Sequence, residues 1–305
     1  MGEYYRTFND EMSEMFSQKV YKLSLDGGMT CPNRDGSIGT GGCIFCSAGG
    51  SGDFSQKRCE SIDLQIEKAK NQVSKKYKGD KYIAYFQSYT NTYASVEYLE
   101  SIFYPAINNP CIVALSIGTR PDCLGKDVLN LLKKLNNIKP VYVELGLQTS
   151  NEQTAKLINR GYTLDVFDKA MSDLREIGVK TVVHIILGLP HETKQDMASS
   201  VSYAVKSGAD GIKLQLLHVL KGTELEKMYL NKEFETFGFD DYITTVCDMI
   251  SLVPKNVTIH RVTGDAPKKL LVAPLWSADK KRVLNAINRE LKKRKESAHK
   301  KETET

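Results

Sequence analysis

Cys31, Cys43 and Cys46 stand in one stretch with the spacing C-x11-C-x2-C, and the residues between the first two are rich in glycine. Three thiolates hold three irons of a [4Fe–4S] cube, where a closed cluster takes four. The fourth iron is then open to a small chelating ligand, and the amino and carboxylate groups of S-adenosylmethionine (SAM) suit that position. One-electron cleavage of SAM there would begin radical chemistry that side chains do not perform alone. Two other chemistries use the same residues. Zinc would take Cys31, Cys43, Cys46 and Cys59 as a four-thiolate site. The first histidine is His184, so a local site of two cysteines and two histidines is excluded. Thiol redox at Cys43-Ile-Phe-Cys46 is the third reading, and it leaves Cys31 and the glycines unexplained.

The elements that must position this loop are legible as alternation. Apolar runs at Tyr21–Leu25, Tyr82–Phe86, Ile112–Ile117, Val141–Leu147, Thr181–Leu187 and Gly211–Leu217 read as strands of a parallel sheet covered by helices. Between them lie helical stretches at 62–77, 96–106, 126–136, 151–160, 164–177 and 193–206. Six such units predict an α/β fold, a partial (β/α)6 TIM-type barrel, with a doubly wound sheet as the alternative. The barrel is expected over residues 1–225, with a small C-terminal α/β extension over 226–305. That extension contains a basic helix at about 278–295 and a disordered tail at 296–305. Cys111, Cys123 and Cys247 read as inert buried thiols. The chain lacks a run of about 18 apolar residues and an apolar signal core, so a cytoplasmic protein with no membrane partner is expected. Its net charge of +5 is uneven, because residues 280–301 hold ten Lys or Arg against two acids. Such a cluster is the footprint of a phosphate backbone, or else a solvated tail.

In a β/α barrel the chemistry sits at the C-terminal ends of the strands. After the cysteine loop those ends read Gln87-Ser-Tyr-Thr-Asn-Thr92, Ser116-Ile-Gly-Thr-Arg-Pro-Asp122, Glu144-Leu-Gly-Leu-Gln-Thr149, His184-Ile-Ile-Leu-Gly-Leu-Pro-His-Glu192 and Gln215-Leu-Leu-His-Val-Leu-Lys-Gly-Thr223. With Arg261-Val-Thr-Gly-Asp265 and Leu271-Val-Ala-Pro-Leu-Trp276, this ordered set resembles the radical SAM superfamily, and within it the YtqA/YhcC-like branch. That branch is related to the radical SAM core of the Elongator catalytic subunit, which modifies wobble uridine in tRNA. The likeness covers about residues 4–290. One departure matters: the family's Gly-Gly-Glu after the second strand, which holds the SAM amino group, is replaced by Gln87–Thr92.

The resemblance implies a role for each matching residue. Cys31, Cys43 and Cys46 would ligate the cluster. Glu144 and Gln148 would meet the SAM ribose or the substrate, and Gly188 would let the backbone approach the adenine. Gln87 and Asn91 would take the methionine end of SAM, and Arg120 its carboxylate. His260 and Arg261 would face substrate. The plainer readings are a paired buried carboxylate for Glu144, loop caps for Gln87 and Asn91, an ion pair for Arg120 and a strand-end turn for Gly188. The implied reaction is conversion of 5-carboxymethylaminomethyl-uridine to 5-aminomethyl-uridine in tRNA, with a flavodoxin or ferredoxin as reductant. A radical SAM enzyme on a small metabolite and a zinc-stabilised RNA-binding protein are the rivals.

Overall fold

The computed structural model describes residues 4–50, 61–75 and 77–303. Cys59 lies outside the described residues. Seven strands form one parallel sheet: β1 (Tyr21–Leu25), β2 (Tyr82–Phe86), β3 (Ile112–Thr119), β4 (Val141–Gln148), β5 (Lys180–Leu187), β6 (Gly211–Leu216) and β8 (Thr258–Arg261). Their spatial order follows the chain. A doubly wound sheet would reverse that order at a switch point, so the partial barrel holds. The sheet has one strand more than the periodicity predicts. β8 is short, lies in the stretch read as an appendage, and pairs with β6 from Gly211↔Thr258 onward. A small antiparallel pair, β7 (Val219–Leu220) with β9 (Leu271–Ala273), stands apart from the sheet.

Helices α2 (Ile62–Val73), α3 (Val96–Asn108), α4 (Lys126–Asn136), α6 (Leu164–Glu176) and α7 (Lys194–Lys206) cross between strands, with the short α5 (Glu152–Leu157) after β4. Side-chain caps set their starts. Ser95 accepts from the Tyr98 N–H at α3, and Thr193 with Asp196 closes a capping box at α7, devices worth about 1 kcal/mol each. Leu23, Leu25, Leu115, Ile117, Leu145, Leu147, Val183, Ile185, Leu214 and Leu216 share one core with these helices. Side chains alternate across a strand, so Lys22, Ser24, Ser116, Gly118, Glu144, Gly146, His184, Lys213 and Gln215 face the barrel lumen.

The first helix, α1 (Phe8–Phe16), closes the end of the barrel where the strands begin. Its Met12 joins Val20, Ile83, Ala114, Tyr142 and Val182 in an apolar plug. After β7, α8 (Glu224–Leu230) is followed by α9 (Phe239–Ser251), on which α10 (Lys280–Thr303) packs. Val283, Ile287 and Leu291 of α10 are buried, and Arg294 donates to Asp248 at 2.6 Å. The helix continues to Thr303, beyond the expected limit at 295 and into the stretch expected to be disordered. Lys, Arg, Glu and Ala favour helix, and the Glu290–Arg294 and Lys292–Glu296 pairs support the extra turns. Among the described residues no helix is long and apolar enough to cross a membrane.

Candidate active site

The cysteine loop leaves the C-terminal end of β1 and is fixed from several directions. The N–H groups of Arg34 and Asp35 donate to the Cys31 carbonyl, at 2.8 and 3.2 Å. Asn33 is buried and donates to the Asn159 carbonyl at 2.7 Å, while Asn159 donates back to the Gly42 carbonyl at 2.8 Å. The same Asn33 amide lies 3.8 Å from the Cys43 sulfur. Arg34 donates to the carbonyls of Cys46 (2.9 Å) and Ser47 (2.7 Å). Gly42 has φ +80°, and a Cβ there would lie 2.7 Å from Arg34 Nε, so this crossing of guanidinium over loop needs glycine. Between the paired cysteines, Ile44 donates to the Ile158 carbonyl (3.1 Å) and accepts from the Leu225 N–H (3.0 Å). Its side chain and that of Phe45 pack on an apolar cluster containing Ile158, Ile186, Leu217 and Leu225.

Thiol chemistry follows from these contacts. A hydrogen bond from Cys46 leads the effects that bring the Cys43 thiol down to about 7, against burial and with help from Arg120, Asn33 and Arg34. The Cys46 thiol is raised by giving that bond and by burial. A soft donor set that ionises beside two guanidiniums suits an iron–sulfur group. No three His, Cys, Asp or Glu side chains among the described residues close on a single metal ion. A cube that takes one thiolate per iron does not ask them to. Asn33 is a residue that sequence reasoning passed over. Asn33→Ala is expected to weaken cluster retention about 10- to 100-fold, as removal of outer-shell hydrogen bonds does; iron release to a chelator under anaerobic conditions measures it.

The strand ends form the rim around this loop. Gln87 follows β2 and is half-buried. Asn91 is fully buried and donates to the carbonyls of Phe86 (3.1 Å) and Gly118 (2.8 Å), tying β2 to β3. Arg120 forms a bidentate pair with Asp122 (2.9 and 2.7 Å) and donates to the Arg160 carbonyl. The structure thus shows the ion pair for Arg120 and the loop tie for Asn91. Arg120 and Arg160 both lie 4.8 Å from the Tyr162 ring centroid. Gln148 sits at the end of β4 with φ +64° and a buried Oε1 that has no hydrogen-bond partner. Gly188 has φ +88°, and a Cβ there would lie 2.7 Å from the Phe237 ring.

Deeper in the lumen, every strand from β1 to β6 contributes to a polar layer around Glu144. Its carboxylate is inaccessible to solvent and accepts from Lys22 (2.6 Å), Ser116 (2.6 Å), Tyr85 (2.9 Å), Lys213 and His184 (2.7 Å). Burial pushes the Glu144 carboxyl up, but Lys213, Lys22 and His184 outweigh it and hold the group ionised. Burial and Lys213 hold the His184 imidazole at about 4, so it is neutral at physiological pH. Lys22 and Lys213 lie on the Tyr85 ring, 4.8 and 4.7 Å from its centroid.

His260 and Arg261 part company, although they are adjacent in sequence. The His260 side chain is 2% exposed and lies at the closed end, 3.6 Å from Glu11 and between the Phe8 and Tyr142 rings. With Glu11 held by Tyr142 and Lys180, it belongs to the floor made by α1, and the expected substrate-facing place is not where it stands. Arg261 is one-third exposed, pairs with Asp265 at 3.2 Å, and exerts its charge on Tyr85, His184 and Lys213.

Comparison with known proteins agrees with this geometry. Residues 35–204 match the radical SAM superfamily and residues 209–293 the radical SAM C-terminal domain. YtqA of Bacillus subtilis is 44% identical over 290 residues, 95% of this chain and 90% of that protein. YhcC of Escherichia coli K12 is 38% identical over 270 residues, 88% of this chain and 86% of that protein. The tRNA uridine(34) acetyltransferase of Methanocaldococcus jannaschii is 30% identical over 163 residues, 52% of this chain but only 30% of that protein. Among solved structures, the archaeal Elp3 of Methanocaldococcus infernus shares the fold with a TM-score of 0.63 at 21% identity, covering 83% of this chain and 58% of that one. A loop with three cysteines at the mouth of a seven-stranded parallel half-barrel, and relatives matched along nearly its whole length, place the chain in the radical SAM superfamily, as an iron–sulfur enzyme of the YtqA/YhcC branch.

Proposed function

We propose that this enzyme matures a wobble uridine of tRNA, converting the 5-carboxymethylaminomethyl side chain to 5-aminomethyl. The observation that carries the reading is the basic face of α10. The helix is anchored through Val283, Ile287 and Leu291, and Lys281, Arg282, Arg289, Lys292, Lys293 and Lys295 remain exposed. Lys281, Arg282, Asn285 and Arg289 line a shallow groove of about 470 Å³ with Phe239, whose ring lies 4.3 Å from the Arg282 guanidinium. A guanidinium on an aromatic face beside further cations suits a phosphate backbone with an unstacked base. The partial match to tRNA uridine(34) acetyltransferases supports the same substrate class.

Cys31, Cys43 and Cys46 would hold the cluster, with Asn33, Arg34 and Arg120 compensating its negative charge. With that group and SAM bound, one-electron cleavage of SAM supplies a 5′-deoxyadenosyl radical able to take hydrogen from an unactivated C–H bond. The bond to be broken lies on the glycine-derived methylene. Removal of a hydrogen atom from that carbon, followed by loss of a second electron, which an oxidised cluster would accept, and of the amine proton to solvent, would give an imine; water then cleaves it, releasing the two-carbon fragment as an aldehyde acid and leaving the amine. The chain's own part is to bind the substrate, orient the methylene and keep water out until that step. A flavodoxin or ferredoxin fits the need for a low-potential electron.

Nucleoside mass spectrometry of total tRNA with and without the gene tests the reading. Accumulation of the carboxymethylaminomethyl nucleoside with loss of aminomethyl-derived products is expected, and an unchanged profile would sink it. Deleting α10 is a poor probe, because it would uncover the α9 face. Reversing Lys281, Arg289 and Lys293 to Glu leaves that packing intact. It is expected to weaken tRNA binding across sequences and to lower the log–log salt slope by about 0.7–0.9 for each phosphate no longer neutralised. A filter-binding salt titration reads this.

A further inference from the structure

Above the Glu144 layer the lumen wall keeps accessible surface, and its charge is unbalanced. Away from the strand starts and the rim at Gln148, the residues of β1 and β3–β6 that keep accessible surface are Lys22, Ser24, Gly118, Gly146, His184 and Gln215. All of them are on the lumen side. At Gly146, two residues above Glu144, a Cβ would lie 2.6 Å from the Gln148 amide nitrogen, and at Gly118, two above Ser116, 3.3 Å from the Phe86 carbonyl. The strands rise about 3.3 Å per residue, so the shaft reaches from the rim at Gln148 roughly 13 Å down to Glu144.

The charged groups facing this space are Lys22, Lys213, Arg261, Glu144 and Asp265, with Lys280 behind Asp265. Three cations, Lys22, Arg261 and Lys280, thus meet two carboxylates, and Lys213, brought down to about 7 by burial against the pull of Glu144, is a fourth when protonated. Burial first, with nearby cations, holds His184 and His218 neutral, so neither alters the sign. Below, Glu11 is already matched by Lys180. Lys22 donates to Glu144 and Ser116, and Lys213 to Glu144 and Tyr85. An ammonium has three protons, so Lys22 keeps one beyond these bonds, as does Lys213 in its protonated form, which an entering anion favours. Unbalanced charge in a space walled by protein is costly unless a partner enters.

We propose that the barrel lumen binds a carboxylate of the substrate on Lys22, Lys213 and Arg261, with Glu144 holding the two lysines in position. The proposal deepens the uridine reading and rests on it for the molecule that carries the carboxylate. In 5-carboxymethylaminomethyl-uridine the carboxylate adjoins the methylene that must react. Seating it at the bottom of the shaft turns that methylene toward the open end, where the cysteine loop lies. The product amine has no carboxylate to hold, so the same cations favour its departure.

The test compares tRNA bearing the acid side chain with tRNA bearing its primary amide, on the reconstituted enzyme with SAM. Wild type is expected to prefer the acid in kcat/KM by roughly 10- to 100-fold, the worth of hydrogen bonds to a charged group. Lys22→Met and Lys213→Met are expected to bring the acid-to-amide ratio of kcat/KM toward one, each variant being compared with itself on the two tRNAs, and Lys22→Arg to restore part of the ratio. A second readout needs neither turnover nor variants. N-methylglycine, at tens of millimolar, is expected to raise the melting temperature of the loaded enzyme where N-methylglycinamide does not. Equal use of the two tRNAs would overturn the lumen proposal and leave the uridine reading standing. If neither tRNA is used, the uridine reading falls and the melting shift decides the lumen proposal, with equal or absent shifts overturning it.

Discussion

Cys31→Ala, Cys43→Ala or Cys46→Ala, each made singly, is expected to yield folded protein that cannot be loaded with a four-iron cluster. After anaerobic reconstitution the visible absorbance and bound iron fall to background, and SAM cleavage with them. Folding is expected to survive because the loop is held by groups other than sulfur. The Asn33–Asn159 exchange, the Arg34 bonds to Cys46 and Ser47, and the burial of Ile44 and Phe45 all remain. Cys111→Ala and Cys247→Ala are the matched controls. Cys111 bonds to Asn109, and Cys247 lies buried under α10, where burial pushes its thiol up to about 12. A thiol so hard to ionise does not serve as a ligand. Cys59→Ala separates three ligands from four: a cube open at one iron keeps its iron in that variant, and a four-thiolate site loses its metal. Iron retained after any one of the three loop substitutions would remove that cysteine from the ligand set.

The barrel was legible because its outward strand faces are uniformly apolar. All six predicted strands fall within two residues of the observed ones. β8 escaped because Thr-Ile-His-Arg is too short and polar for periodicity to separate it from a loop. It needs the β6 edge to become a strand. The cysteine spacing was equally plain, since metal-ligand spacing is local. The Glu144 layer was not. Its members sit on six strands, and each single-strand pattern looks like a lone polar interruption: Lys22 in Tyr-Lys-Leu-Ser-Leu, His184 in Val-Val-His-Ile-Ile, Lys213 in Gly-Ile-Lys-Leu-Gln-Leu. Read at period two, those interruptions mark the lumen face, a signal present in the sequence. What is absent from it is the partner of Glu144. The Arg120 guanidinium, the nearest strand-end cation along the chain, is occupied by Asp122, and two lysines more than 60 residues from Glu144 are its counter-ions.

Glu144→Leu is expected to destabilise the fold by about 3–5 kcal/mol, because it strands two lysines without their counter-ion. Denaturant unfolding at pH 7 measures this. The sign of the pH dependence follows from the direction of the Glu144 shift. A carboxyl held below its unfolded value contributes stability that is complete above that value and is lost as pH falls through the folded one. The gap between wild type and variant is therefore expected to narrow only in acid, below the ordinary carboxylate range. Glu144→Leu combined with Lys22→Met and Lys213→Met is the sharper experiment. Replacing a whole buried ionic group by apolar side chains is often neutral or stabilising. Tyr85, Ser116 and His184 lose an acceptor in that variant, at about 1–3 kcal/mol each if left unpaired, so recovery of only part of the lost stability is expected. Stability alone thus gives little reason to place these charges inside a barrel. If the triple variant folds and takes up its cluster, yet has lost its preference for a carboxylate-bearing substrate, the layer is there to hold substrate. A triple variant as unstable as Glu144→Leu alone would instead make the layer part of the frame.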